Sequence, residues 1–263
     1  MKIFQVFTFV LLLCVPSLLI AQEAEDGFVP AYILVHRVHL ANQGDIDFED
    51  WKATEIEFYN KVTAKNDLIL HAGVYVHYLT PNSSELLFLS VYDSFADFEN
   101  ALQINEELIQ EGWESEDERN AFFEKQQTFY SGFYSDEMYS TLPYYKDVLE
   151  DSKEPMIIHL RKHAIGEGGS GYDAYFNHVI MKNKYVKGFY TMKHLLGGNN
   201  YDAYEVSILK DLSDLEKSFK EEKKLLEKLY PDEQERKDFL REYVKIFSKH
   251  GDFVYKNVPE LAK

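Results

Sequence analysis

The chain is written twice, and that repetition limits its possible folds more than any other feature. Ala31 to His39 is matched 124 residues later by Pro155 to His163, and Phe48 and Trp51 then meet Tyr172 and Tyr175. Val91 to Glu99 returns as Ile208 to Glu216 at an offset of 117. Asp136, Tyr139, Leu142 and Pro143 return as Asp252, Tyr255, Val258 and Pro259 at an offset of 116. Four matches in one order point to a duplicated unit of about 110 residues. The units expected are 31–143 and 155–263, joined by a polar linker at 144–154 and preceded by a short segment at 22–30.

Within each unit the periodicity is mixed. Residues 31–40, 69–79, 85–92 and 133–142 are short and rich in Val, Ile, Leu, Tyr and Phe, as strands are. Residues 47–64 place Phe48, Trp51, Glu55, Phe58 and Val62 at helical spacing, and 95–111 does so with Phe95, Phe98, Leu102 and Leu108. Asp47 and Ser94 stand where N-caps belong. A further acidic helix is expected at 115–131, with a counterpart at 232–249. The order in each half is therefore β-α-β-β-α-(α)-β, the ferredoxin-like arrangement of an α+β protein.

This order, the duplication, and Phe95-x-x-Phe98 with Leu212-x-x-Leu215 opening the second helix resemble the dimeric α+β barrel superfamily. That group includes NIPSNAP-like, antibiotic-biosynthesis-monooxygenase-like, haem-degrading and chlorite-dismutase-like proteins. The resemblance implies that the two tandem repeats pair within one chain as an intrachain barrel, giving a monomer that is a pseudo-dimer, or a dimer of such monomers. It also implies a small oxygenase or a haem-binding or haem-processing enzyme as one functional class, although no histidine is marked as the haem ligand.

Residues 1–21 read as a secretory signal: Lys2 is followed by an apolar run to Ile20, shorter than a membrane span, and then by an acidic stretch. The expectation is an exported protein, periplasmic or extracellular, with no stable membrane anchor once the signal is cut after Ala21. Cys14 is the only cysteine and leaves with that segment, so disulfides and cysteine-based metal sites are excluded from the mature chain. With 45 acidic and 28 basic side chains and a net charge of −17, the protein is poorly suited to nucleic acid. The charge is uneven: residues 22–150 hold 26 acids and 7 bases, net −19, whereas 151–263 hold 19 and 20, net +1.

Alternation along the first strand puts Ile33, Val35, Arg37 and His39 on one face and the more apolar Tyr32, Leu34, His36, Val38 and Leu40 on the other. The apolar set is expected beneath the helices and the first set inside the barrel. At the 124-residue offset, the second-half inner set becomes Ile157, His159, Arg161 and His163. On the second strand, aligning Gly73 with Gly188 makes Tyr75 and Tyr190 coincide, with His77 and Met192 two residues on. Arg37, His39, Tyr75, His77, Arg161, His163 and Tyr190 are thus candidate ligand contacts, suited to a small anionic or aromatic molecule. A structural polar cluster would use the same residue types. No metal is expected, since no HExxH or Cys pair accompanies the histidines, and no cofactor is expected beyond the haem alternative.

Gly166-Glu167-Gly168-Gly169-Ser170-Gly171 satisfies G-x-G-x-x-G, but the acid needed about 20 residues on is missing, so a loop is expected there rather than a dinucleotide cradle. Lys182, Lys184, Lys187 and Lys193 form an acid-free basic stretch, the first place to look for a bound anion. No nucleophile elbow or other catalytic constellation is present. The leading reading is an exported module that binds a small ligand or a partner, with the oxygenase or haem class as the alternative.

Overall fold

The computed structural model describes residues 27–41, 46–148, 154–166 and 168–263. The expected signal at 1–21 lies outside them, as do Asn42 to Asp45 and Glu167. No helix among the described residues is long and apolar enough to cross a membrane.

The first half runs β1 (Tyr32–Leu40), α1 (Phe48–Lys61), β2 (His71–Leu79), β3 (Glu85–Tyr92), α2 (Phe95–Glu111), α3 (Glu116–Thr128) and β4 (Tyr130–Thr141). The second runs β5 (Ile157–Ile165), α4 (Tyr172–Tyr175), β6 (Gly188–Leu196), β7 (Asp202–Leu209), α5 (Leu212–Leu229), α6 (Glu233–Tyr243) and β8 (Phe247–Asn257). Asp47 accepts hydrogen bonds from the amides of Glu49 and Asp50, and Ser94 from that of Asp97, so both expected caps start their helices. α4 starts without a side-chain cap, from Gly171 at φ +96°, and continues as a π-helix over Phe176–Ile180. The helix expected at 232–249 stops at Tyr243. Its last residues, from Phe247, are already strand, because Phe247 pairs with Ile165.

The eight strands of the described residues close into one antiparallel barrel in the order β1-β3-β2-β8-β5-β7-β6-β4. Each half supplies four neighbouring strands in the ferredoxin-like order, and the halves meet at two seams, β2 with β8 and β4 with β6. Closure leaves no free sheet edge. Both halves also use the same buried anchor. The side-chain amide of Asn66 donates to the Ala101 carbonyl (2.8 Å), and that of Asn183 donates to the Ser218 carbonyl (3.2 Å), in each case tying the loop before a strand to the following long helix. Part of the 144–154 linker is fixed to the second half: Lys146 bridges Phe189, and Tyr144 packs with Tyr175 and Phe176.

One apolar cluster fills the barrel, around Ile33, Val35, Leu87, Tyr139, Ile158, Met192, Tyr204 and Tyr255. Others lie between the sheet and the helices, around Trp51 in the first half and Phe176 and Phe189 in the second.

Candidate functional site

Side chains from all eight strands line one small space, which is therefore the barrel lumen; it is about 50 Å³. Arg37, Tyr75, Tyr139, Tyr204 and Tyr255 supply its polar tips and apolar residues the rest. Arg37 does point inward, as the alternation predicts, but its guanidinium is taken: Nη1 donates to Glu85 at 2.5 Å, and the Tyr255 hydroxyl donates to the other oxygen of the same carboxylate. Burial opposes the Arg37 charge, yet Glu85 outweighs it and holds the pKa above its ordinary value. Tyr75 and Tyr190 are neighbours, and burial followed by the proximity of Tyr190 pushes Tyr75 up to about 12. His77 contacts Thr80 (2.7 Å) and His39 contacts Asn82 (3.1 Å), each beside its own strand end. Among the described residues, no three His, Cys, Asp or Glu side chains gather to hold a metal ion.

The second-half expectation needs correction by one residue. Ile158, not Ile157, packs in the lumen, so the inner counterpart of Arg37 is Lys162. Lys162 meets Asp202 at 2.5 Å just as Arg37 meets Glu85. Arg161 and His163 lie on the outer face, beneath the helices. There Glu205 accepts from Tyr172 (2.6 Å) and is paired with His163 Nε2 (2.8 Å), with Arg161 at 3.6 Å. His159 and Arg161 share Asp252 at 2.8 and 3.2 Å. Burial pushes the Glu205 pKa up, but the hydrogen bond and charge of His163 and then Arg161 outweigh this and hold it below the ordinary carboxylate value. The free space beside this network is about 10 Å³, the size of a water molecule. The seven expected contacts therefore do not form one site: five belong to the lumen side and two to this outer network.

A cavity of about 520 Å³ lies between α1, α3 and the outer face of the first-half sheet. Phe58, Tyr59, Phe88, Tyr130 and Tyr134 give it aromatic walls, and Glu55 is its buried acid, only 4% exposed. Glu55 sits on the apolar stripe of α1, one turn beyond the fully buried Trp51. Its Oε1 accepts from the Tyr130 hydroxyl (2.7 Å) and from Gln126 Nε2 (3.0 Å), while Trp51 Nε1 donates to the Tyr130 oxygen (2.9 Å). Burial raises the Glu55 pKa and outweighs the opposing effect of these two hydrogen bonds. At the rim, His36 Nδ1 meets Asp136 at 2.6 Å.

The same position in the second half is filled. Sheet register makes Ala72, opposite Ser90, equivalent to Phe189, opposite Ser207. Ala72 leaves room in the first half, and Phe189 with Tyr175 and Phe176 occupies it in the second. Likewise His36 and Phe88 become Arg161 and Glu205, so an aromatic cavity is replaced by an ion-paired plug. Lys182, Lys184, Lys187 and Lys193 of the basic stretch are exposed and line none of these three cavities. Gly166 to Gly171 likewise forms no phosphate cradle among its described residues. Gly166 donates to the Ile246 carbonyl, and a Cβ on Gly169 would stand 2.6 Å from the Glu242 carbonyl oxygen, so the glycines let two backbones touch.

Solved structures share this architecture. A protein from Fusobacterium nucleatum subsp. nucleatum, provisionally named a monooxygenase, matches with a TM-score of 0.56 and 9% identity over 88% of this chain and 94% of its own. A second of the same provisional name, from Lactobacillus acidophilus NCFM, matches at 0.52 and 7% over 88% and 95%. At such identities the likeness is one of fold, that of the dimeric α+β barrels. No protein-family model and no curated protein matches the sequence.

Proposed function

We propose that the protein is a small-molecule-binding module whose site is the first-half cavity between α1, α3 and the sheet. One observation carries the reading: a buried carboxylate, Glu55, opens into a preformed aromatic cavity of ligand size. Cavities of this kind, with few polar groups set in apolar walls, are the usual form of small-molecule sites. The barrel lumen supports a ligand less well, since Arg37 and Lys162 already have carboxylate partners and the space is about 50 Å³.

Ala72→Phe tests this reading. It copies the second-half solution, so the variant should keep its circular dichroism spectrum and lose binding of any aromatic fragment found by thermal-shift screening. Fragments that bind the variant as well as the parent would put the site elsewhere.

A small oxygenase is the alternative, and the provisional names of the two structural neighbours give it only an analogy of fold. Its haem form fits the residues poorly. His36 reaches the cavity, but the lining residues include no Lys or Arg to meet two propionates and present a buried acid instead. Added haem should therefore leave the visible spectrum of the protein–haem mixture without a Soret shift.

Two further expectations belong to this proposal. The equivalent Asn66 and Asn183 anchors and the Glu85 and Asp202 ion pairs support descent of the halves from one duplicated unit. Export, to the periplasm or beyond, rests on the apolar run of residues 3–20.

A further inference from the structure

We infer that the ligand of this cavity is a protonated amine carried on an aromatic body, with its ammonium group bound to Oε2 of Glu55. This class rests on the reading of the cavity as the binding site and narrows it.

The two oxygens of Glu55 are unequal. Oε1 already accepts two hydrogen bonds, from Tyr130 and Gln126. Oε2 receives none from the described residues, and Glu55 is part of the cavity wall. An ionised carboxylate only accepts, and its natural complement is a donor that brings positive charge. Among the described residues lining the cavity there is no Lys or Arg, and His36 already meets Asp136. A buried charge without a countercharge is costly, and burial disfavours ionised Glu55 despite its two hydrogen bonds. A ligand ammonium would remove that penalty, whereas a ligand carboxylate would add a second negative charge to it.

The walls agree with the acid. Phe58, Tyr59, Phe88 and Tyr130 supply aromatic rings to the walls, and aromatic rings attract cations as well as apolar groups. The long-range field has the same sign: residues 22–150 carry a net −19, which draws cations towards this half and repels anions. A neutral aromatic would fill the walls but leave Oε2 without a charged partner. The observations thus favour an aryl-alkyl amine over its alcohol or acid analogue.

Isothermal titration of the full chain at pH 7 with 2-phenylethylamine, 2-phenylethanol and 3-phenylpropanoate tests the class, because the three differ mainly in head group. The amine should bind about tenfold or more tightly than the alcohol, with the acid weakest. In Glu55→Gln, which keeps Oε1 for Tyr130 and Gln126, amine affinity should fall about tenfold while alcohol affinity stays within about threefold. An amine no tighter than the alcohol, or an amine indifferent to Glu55→Gln, overturns the inference. If Ala72→Phe still abolishes alcohol binding in that case, the cavity stands as the site and only the amine class falls. If none of the three probes binds, both fall.

Discussion

The hydroxyl of Tyr255, on the last strand of the second half, donates to the carboxylate of Glu85, on the third strand of the first. That contact crosses the β2–β8 seam inside the barrel and completes the satisfaction of a buried acid already paired with Arg37. Tyr255→Phe removes the donor and leaves one Glu85 oxygen short of a partner. The expected loss is about 1–3 kcal/mol, read as a lower urea midpoint at an unchanged m-value.

Glu55 gives a pH dependence of definite sign. Its folded pKa is raised, chiefly by burial, so the stability linked to it is fully present below the unfolded carboxylate value and is lost as pH rises through the folded one. Glu55→Gln should therefore melt higher than the parent at pH 7, with the advantage shrinking as pH falls towards 4. An advantage that grows on acidification would reverse the assignment.

Glu205 behaves in the opposite way. Its folded pKa is depressed, so its contribution is present above the unfolded value and lost as pH falls through the folded one. Arg161→Met removes the second cation beside Glu205 and leaves His163 and Tyr172 in place, so it should cost about 1–3 kcal/mol at pH 7 in denaturant unfolding. The difference between variant and parent should narrow as pH falls, because Glu205 of the variant takes up its proton at a higher pH than that of the parent.

Adjacent glycines separate packing from phosphate binding. Gly169 has φ +103° and faces the Glu242 carbonyl, whereas a Cβ on Gly168 meets nothing within 4 Å. Gly169→Ala should lose about 2 kcal/mol or more, and Gly168→Ala should stay within about 0.5 kcal/mol, both by thermal unfolding.

Much of this architecture can be read in the sequence, because strand and helix periods, the Asp47 and Ser94 caps and the order of repeated segments are local signals. Face assignment in the second half cannot be read so directly. A strand has period 2, so one residue of misalignment exchanges inside and outside. Arg-x-His occurs in both halves and sets Arg161 against Arg37 in sequence, whereas Glu85 and Asp202, 117 residues apart, mark Lys162 as the structural counterpart of Arg37. Glu55 did leave a trace, as the one acid in the apolar stripe of α1. Periodicity groups it with Trp51 and Phe58, however, and cannot say whether the space beside it is open. That depends on Ala72 standing where the other half has Phe189, a comparison that only sheet register makes.

The two seams lie within one polypeptide, and this frees the barrel from self-complementarity. A barrel assembled from two identical chains builds both seams from one set of residues, so every substitution appears twice and must be tolerated in both places. Here the β2–β8 and β4–β6 seams are distinct surfaces, and a change in one leaves the other untouched. One half can then be given over to holding the barrel closed, with Phe189 and the Glu205 network as its plug. The other can change around the cavity beside Glu55 without disturbing that plug.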